Sequence, residues 1–114
     1  MATREISDGT YTASRNSDSN VISIRGSLRL NGAGEYAPIA ALLDEGLTGT
    51  LITLDLRDLQ FLNSSGITVL MRFAIKVRES KSKLLLRGSK KIPWHGKSLQ
   101  NIQRILPETR IELE

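Results

Sequence analysis

An apolar-rich run over residues 51–62 meets a polar turn, Asn63-Ser64-Ser65-Gly66, which opens directly into a helix-patterned run over residues 67–78. A strand, a tight polar turn and a helix in that order constrain this chain more than any other feature. With further strand and helix patterns on both sides, the unit implies a mostly parallel sheet with right-handed crossovers. It also sets two hydroxyls at a helix N-terminus, where unpaired amides and the helix dipole favour an oxyanion.

The other segments fill in around it. Residues 1–9 read as a polar extension, and residues 10–114 as one domain. A strand at 11–15, a turn at 16–20 and a strand at 21–25 suggest a hairpin. Residues 26–34, glycine-rich, read as a loop, with Gly32-Ala33-Gly34 flexible. Tyr36, Ile39, Ala40, Leu42 and Leu43 repeat at helical spacing over 35–45, and Gly46 ends that helix. Residues 51–56 look like a strand covered on both faces. Residues 66–81 form the next helix, 83–87 a short strand, 99–106 a helix capped by Ser98, and 110–114 a closing strand. The order is β-β-α-β-α-β-α-β.

Composition narrows the function. At 114 residues the chain makes one domain, and 39% apolar with 25% charged residues is ordinary for a soluble one. No apolar stretch approaches the ~18 residues of a membrane span, and no leader pattern opens the chain. Cysteine is absent, which fits the cytoplasm and removes thiolate chemistry, and the single histidine, His95, leaves no two-imidazole metal site. The net charge of +4 is spread along the chain with few aromatics to stack on bases, so nucleic acid is not the expected partner. Gly88 and Gly96-Lys97-Ser98 do not make a phosphate-binding P-loop, since seven residues separate the glycines where four are required. No nucleophile–base–acid set emerges and no cofactor motif is found. Asp55 is the only oddly placed carboxylate, and its default role is a hydrogen bond to a neighbouring loop. His95 sits in a basic loop with no evident partner.

Two readings of the turn stand side by side. Asn63, Ser64 or Ser65 can simply cap the helix, with Gly66 packing close. Alternatively one serine carries a phosphate, bringing about −1.5 to −2 charge to a place the fold tolerates. On the helix that follows, Leu70, Phe73, Ala74 and Val77 share a core face. Thr68, Arg72, Lys76 and Glu79 lie opposite, flanked by Val69 and Ile75, both expected to be largely exposed. A docking face of Ser64, Ser65, Thr68, Val69, Arg72, Ile75 and Lys76 follows.

Leu54-Asp55-Leu56, then Phe61-Leu62-Asn63-Ser64-Ser65-Gly66-Ile67, with Gly26-Ser27-Leu28 after the second strand, resemble STAS domains of the anti-sigma-factor-antagonist type. The resemblance spans about residues 10–114 and implies a STAS-like mixed sheet of about five strands with helices packed on it. It also implies a non-enzymatic interaction switch in a bacterial partner-switching pathway. A serine kinase of the histidine-kinase-like ATPase fold, which is also the anti-sigma factor, would phosphorylate Ser64, and a PP2C-type phosphatase would reverse it. Asn63, Ser65, Gly66, Arg29 and Asp55 would shape the site. Three departures stand out. The family's aspartate is Asn63 here, the acidic residue that often follows Gly-x-Leu is Arg29, and no closing C-terminal helix follows the last strand, leaving one flank of the sheet open or self-associated as a homodimer. Asn63 and Arg29 keep two alternatives in view: a constitutive scaffold without phosphorylation, and an anion- or nucleotide-binding module using Arg29 with Lys90, Lys91 and Lys97.

Overall fold

The computed structural model describes residues 3–114; residues 1–2 of the expected N-terminal extension lie outside the described residues. The elements are β1 (Thr3–Ser7), β2 (Tyr11–Asn16), β3 (Val21–Leu28), α1 (Gly32–Asp44), β4 (Leu51–Asp55), β5 (Leu59–Leu62), α2 (Ser64–Glu79), β6 (Lys83–Gly88), α3 (His95–Ile105) and β7 (Arg110–Leu113). They build one mixed sheet in the order β1-β2-β3-β4-β6-β7, with β5 pairing β3. The first three strands run antiparallel, and β3, β4, β5, β6 and β7 pair in parallel. The α/β class with a mixed sheet is as expected, with two more strands than the sequence reading allowed.

Both additions have local causes. Residues 3–7, read as extension, pair along β2 from Thr3↔Asn16 to Ser7↔Thr12, so their polar side chains decorate an edge strand. The run at 51–62 is two strands. It breaks at Leu56, whose amide goes to Arg87 O (2.8 Å), and resumes at Leu59, whose amide closes a turn onto Leu56 O (3.0 Å). β3 therefore pairs β4 with its first half and β5 with its second, and the register shifts at Gly26–Ser27. Gly26 permits this: its φ is +94°, and a Cβ there would lie 2.4 Å from Thr10 O.

One face of the sheet is core. Ala13, Ile24, Ile22, Leu54, Ile52, Leu84 and Leu86 are fully buried or nearly so, and cross-strand register places them side by side. The helices cover that face as a row, α2 touching both α1 and α3. Leu70, Phe73, Ala74 and Val77 are buried, as the periodicity of α2 required. The opposite face carries Ser14, Ser23, Asp55, Arg87 and Glu112 in one cross-strand row. β4 thus has helices on one side only; on the other its middle residue Thr53 is still buried, while Leu51 at the end is 52% exposed. All three helices start earlier than their patterns suggest, α2 at Ser64 instead of residue 66. The segment 32–34, read as flexible, forms the first turn of α1, and α3 begins at His95 with Ser98 inside it, its amide donating to Trp94 O (3.1 Å).

Candidate functional site

Asn63 ends β5 and caps α2. Its backbone is extended (φ −80°, ψ 176°), and its Oδ1 accepts the Gly66 amide (2.9 Å). The same oxygen accepts the Tyr36 hydroxyl (2.7 Å), while Nδ2 donates to Leu30 O (2.7 Å). The Asn63 amide donates to Leu28 O (3.2 Å), and the Asn63 carbonyl takes the Ile67 amide (3.0 Å). One side chain thus ties three segments together, and the Leu30 bond requires a donor. An aspartate would set a carboxylate oxygen against a carbonyl there. That is the physical reason for asparagine at this place. Burial pushes the Tyr36 phenol up, so it remains a proton donor to Asn63.

The two serines have separate environments. Ser65 is half-buried, and its Oγ accepts the Gly32 amide (3.4 Å), joining the start of α1 to the start of α2. Ser64, the first residue of α2, is exposed, and its carbonyl takes the Thr68 hydroxyl (3.1 Å). With the cap supplied by Asn63, no hydrogen bond among the described residues uses the Ser64 hydroxyl. Gly66 is buried, and a Cβ there would sit 2.2 Å from Leu62 Cδ1 and 2.8 Å from the Tyr36 hydroxyl. Close packing of β5, α1 and α2 fixes that glycine.

Arg29 lies between Leu28 and Leu30, the two residues whose carbonyls Asn63 holds. Its guanidinium carbon lies 4.3 Å from the centroid of the Phe61 ring, and Phe61 is 38% exposed. Asp55 does not join the turn. It lies on the open sheet face, where it accepts from the Arg57 amide (3.1 Å), Nε (2.9 Å) and Nη2 (2.8 Å). Burial raises the Asp55 carboxyl, but the Arg57 hydrogen bonds and the charges of Arg57 and Arg87 outweigh it and hold the group below its usual range.

Along α2, Thr68, Arg72, Ile75 and Lys76 are exposed. Val69, expected to be largely exposed, is half-buried because α1 packs beside it. Val69, Arg72 and Lys76 line a groove of about 120 Å³ whose other wall is Ala33, Ala40, Leu43 and Asp44 of α1. Lys76 Nζ pairs with Asp44 across it (3.0 Å). Thr68 and Ile75 lie outside that lining. Sequence pattern alone could not supply the α1 wall, since it depends on how two helices far apart in the chain pack.

The basic loop is a latch, contrary to the sequence expectation for His95. That ring is fully buried; its Nδ1 accepts the Ser89 amide (2.8 Å) and Nε2–H donates to Leu59 O (3.0 Å). Trp94 Nε1 donates to Gln60 O (3.0 Å), and its ring meets His95 edge-on at 4.3 Å. Burial lowers the His95 pKa, partly offset by the Leu59 bond. Lys90, Lys91 and Lys97 are exposed, and among the described residues none of them bonds to the Ser64 turn. No group of three or more His, Cys, Asp or Glu side chains able to hold a metal occurs among the described residues. Nor is any helix there long and apolar enough to cross a membrane.

What these elements define is a mixed α/β sheet with three helices on one face and an exposed serine opening the middle helix. The same fold occurs in SiaC-containing structures of Pseudomonas aeruginosa. A chain of the crystal structure of the diguanylate cyclase SiaD in complex with its activator SiaC matches with a TM-score of 0.76 and 14% identity, covering 97% of this chain and 99% of that one. Apo-SiaC from the same organism matches with a TM-score of 0.73 and 14% identity, covering 100% of this chain and 99% of that one. At such identity the likeness is one of fold. No protein-family model matches the chain, and no curated protein matches it by sequence.

Proposed function

We propose that this chain is a non-enzymatic protein-interaction switch, of the anti-sigma-factor-antagonist kind, whose state is set by phosphorylation of Ser64. The observation that carries the reading is the division of labour at the turn. Asn63 caps α2 and Ser65 bonds to Gly32, while the Ser64 side chain is left exposed on the first helical turn. The residue best placed for modification is therefore the one whose hydroxyl the fold does not use. A kinase would transfer the terminal phosphoryl group of ATP to Ser64 Oγ, releasing ADP and the hydroxyl proton, and a PP2C-type phosphatase would hydrolyse the ester. The partner is a protein, docking on α2 at Thr68, Val69, Arg72, Ile75 and Lys76. It is the anti-sigma kinase of the histidine-kinase-like fold or another enzyme under the same control, in the cytoplasm. That SiaC is named as the activator of a cyclase supports a role exerted through binding an enzyme.

Phosphate on a docking surface forces charge into a contact, which costs several kcal/mol and weakens binding by two or more decades. The test is incubation with ATP and partner-switching kinases, followed by mass spectrometry of the wild type and Ser64→Ala. Phosphate on Ser64, absent from the variant, is the expected result; no kinase placing phosphate there overturns the switch. The neutral Asn63 beside Ser64 favours one other reading, a constitutive scaffold. That reading predicts equal partner binding by Ser64→Asp and Ser64→Ala.

A further inference from the structure

We propose that Arg29 is the residue that reads the phosphate on Ser64, by leaving the face of Phe61 to pair with it. This rests on Ser64 as the phosphate acceptor and assigns how the mark is registered inside the chain. Arg29 is flanked on both sides by residues bonded to Asn63, the neighbour of Ser64: Leu28 O takes the Asn63 amide (3.2 Å) and Leu30 O takes Asn63 Nδ2 (2.7 Å). The backbone of Arg29 is therefore held against Asn63, one residue before the serine, in a loop that the turn itself fixes in place. Its side chain now rests on Phe61, 4.3 Å from the ring centroid.

Among the described residues no carboxylate claims its charge. The ion pairs among the described residues use Arg4, Arg57, Lys76, Arg87 and Arg110, and Arg29 is not among them. Glu35, on the first turn of α1, is occupied by the Asn31 amide (2.9 Å). An exposed cation–π contact is weak beside a two-pronged, charge-assisted bond from guanidinium to a phosphate dianion. Phosphate on Ser64 thus draws Arg29 off the ring, and Phe61, already 38% exposed, loses its cover. The modification changes two properties of the surface at once: it adds negative charge and bares an aromatic face.

The experiment needs no kinase. Phosphoserine is installed at position 64 during translation, and the phosphate's second ionisation is followed by phosphorus NMR in the wild type, Arg29→Lys, Arg29→Ala and Phe61→Leu backgrounds. A nearby cation lowers that ionisation, so Arg29→Ala is expected to raise it by roughly 0.5–1 unit, Arg29→Lys by less. Phe61→Leu removes the competing ring and is expected to lower it below the wild-type value, a sign that a purely structural role for Arg29 would not give. The ring-current displacement of the Arg29 side-chain protons, present in the unmodified chain, is expected to vanish on phosphorylation. An ionisation equal in wild type and Arg29→Ala, or an unchanged Arg29–Phe61 signature, overturns the proposal. Because the phosphate is installed directly, a positive result stands even where no kinase modifies Ser64, and the two ideas fail separately.

Discussion

Replacing Asn63 with aspartate restores the residue that the resembled family carries, yet this structure predicts a loss of stability. The two side chains have the same shape, so packing is unchanged and the effect is polar. Oδ1 keeps its bonds to the Gly66 amide and the Tyr36 hydroxyl, and a negative charge strengthens both. An anion at the start of α2 also gains about 0.3–1 kcal/mol from the helix dipole. Against this, the 2.7 Å bond from Nδ2 to Leu30 O becomes a contact between a carboxylate oxygen and a carbonyl. A part-buried acceptor left without its donor costs about 1–3 kcal/mol, before any repulsion is counted. With the repulsion between the two acceptors set against the two strengthened bonds, the net loss at pH 7 is about 0.5–2 kcal/mol, which for a domain of this size lowers Tm by roughly 2–10 °C. The deficit belongs to the ionised form, so the folded pKa of the introduced carboxyl lies above the ordinary value near 3.9. The deficit is therefore full above that folded pKa and shrinks as the pH falls through it, because the protonated acid donates to Leu30 O. Urea unfolding of both proteins at pH 7 and pH 4 measures this. A variant as stable as the wild type at pH 7, or a deficit that does not shrink on acidification, refutes the assignment of Asn63 to Leu30.

Three further outcomes follow from the same geometry. Gly66→Ala sets a methyl 2.2 Å from Leu62 Cδ1 and should cost about 1–3 kcal/mol in chemical denaturation, while Gly34→Ala, with open space around it, should not reach that loss. His95 has a lowered folded pKa, so the unfolded chain binds its proton first; stability falls as pH drops below about 6.5, continues to fall until the folded value is passed, and His95→Gln should flatten that slope in a pH series of melting curves. Ser64→Ala should leave stability within about 0.5 kcal/mol of the wild type, whereas Ser65→Ala, which loses the bond from Gly32, should cost about 0.5–1.5 kcal/mol by the same assay.

The parts of the fold legible in the sequence are those where local pattern and tertiary packing agree. The apolar stripe of α2 and the strand β7 follow from periodicity, the β2–β3 hairpin from two strand patterns about a polar turn, and β4 and β6 from short apolar runs. What escaped was decided by distant residues. β5 has only its two ends buried, Leu59 and Leu62, so it lacks strand alternation and exists because β3 turns its second half towards it. The glycine-rich start of α1 has poor intrinsic helicity and is held by Ser65 and Glu35. The polar strand β1 is defined by its pairing with β2 and not by apolar content. At the site, the cap and the close-packed glycine are written in Asn63-Ser64-Ser65-Gly66 itself. The bond that makes residue 63 an asparagine runs to Leu30, 33 residues away, and the cover over Phe61 comes from the loop beside it. Asp55, singled out because a carboxylate in a strand is unusual, is explained by its neighbour Arg57 on the open face.

The account stands or falls on the Ser64 hydroxyl as a control point for docking on α2. The most direct measurement is calorimetric titration of a partner kinase, its ATP site empty, with the unmodified chain and with the chain carrying phosphoserine at 64. The account predicts that the unmodified protein binds and that phosphate weakens the affinity at least a hundredfold. Equal affinities for the two forms would contradict it.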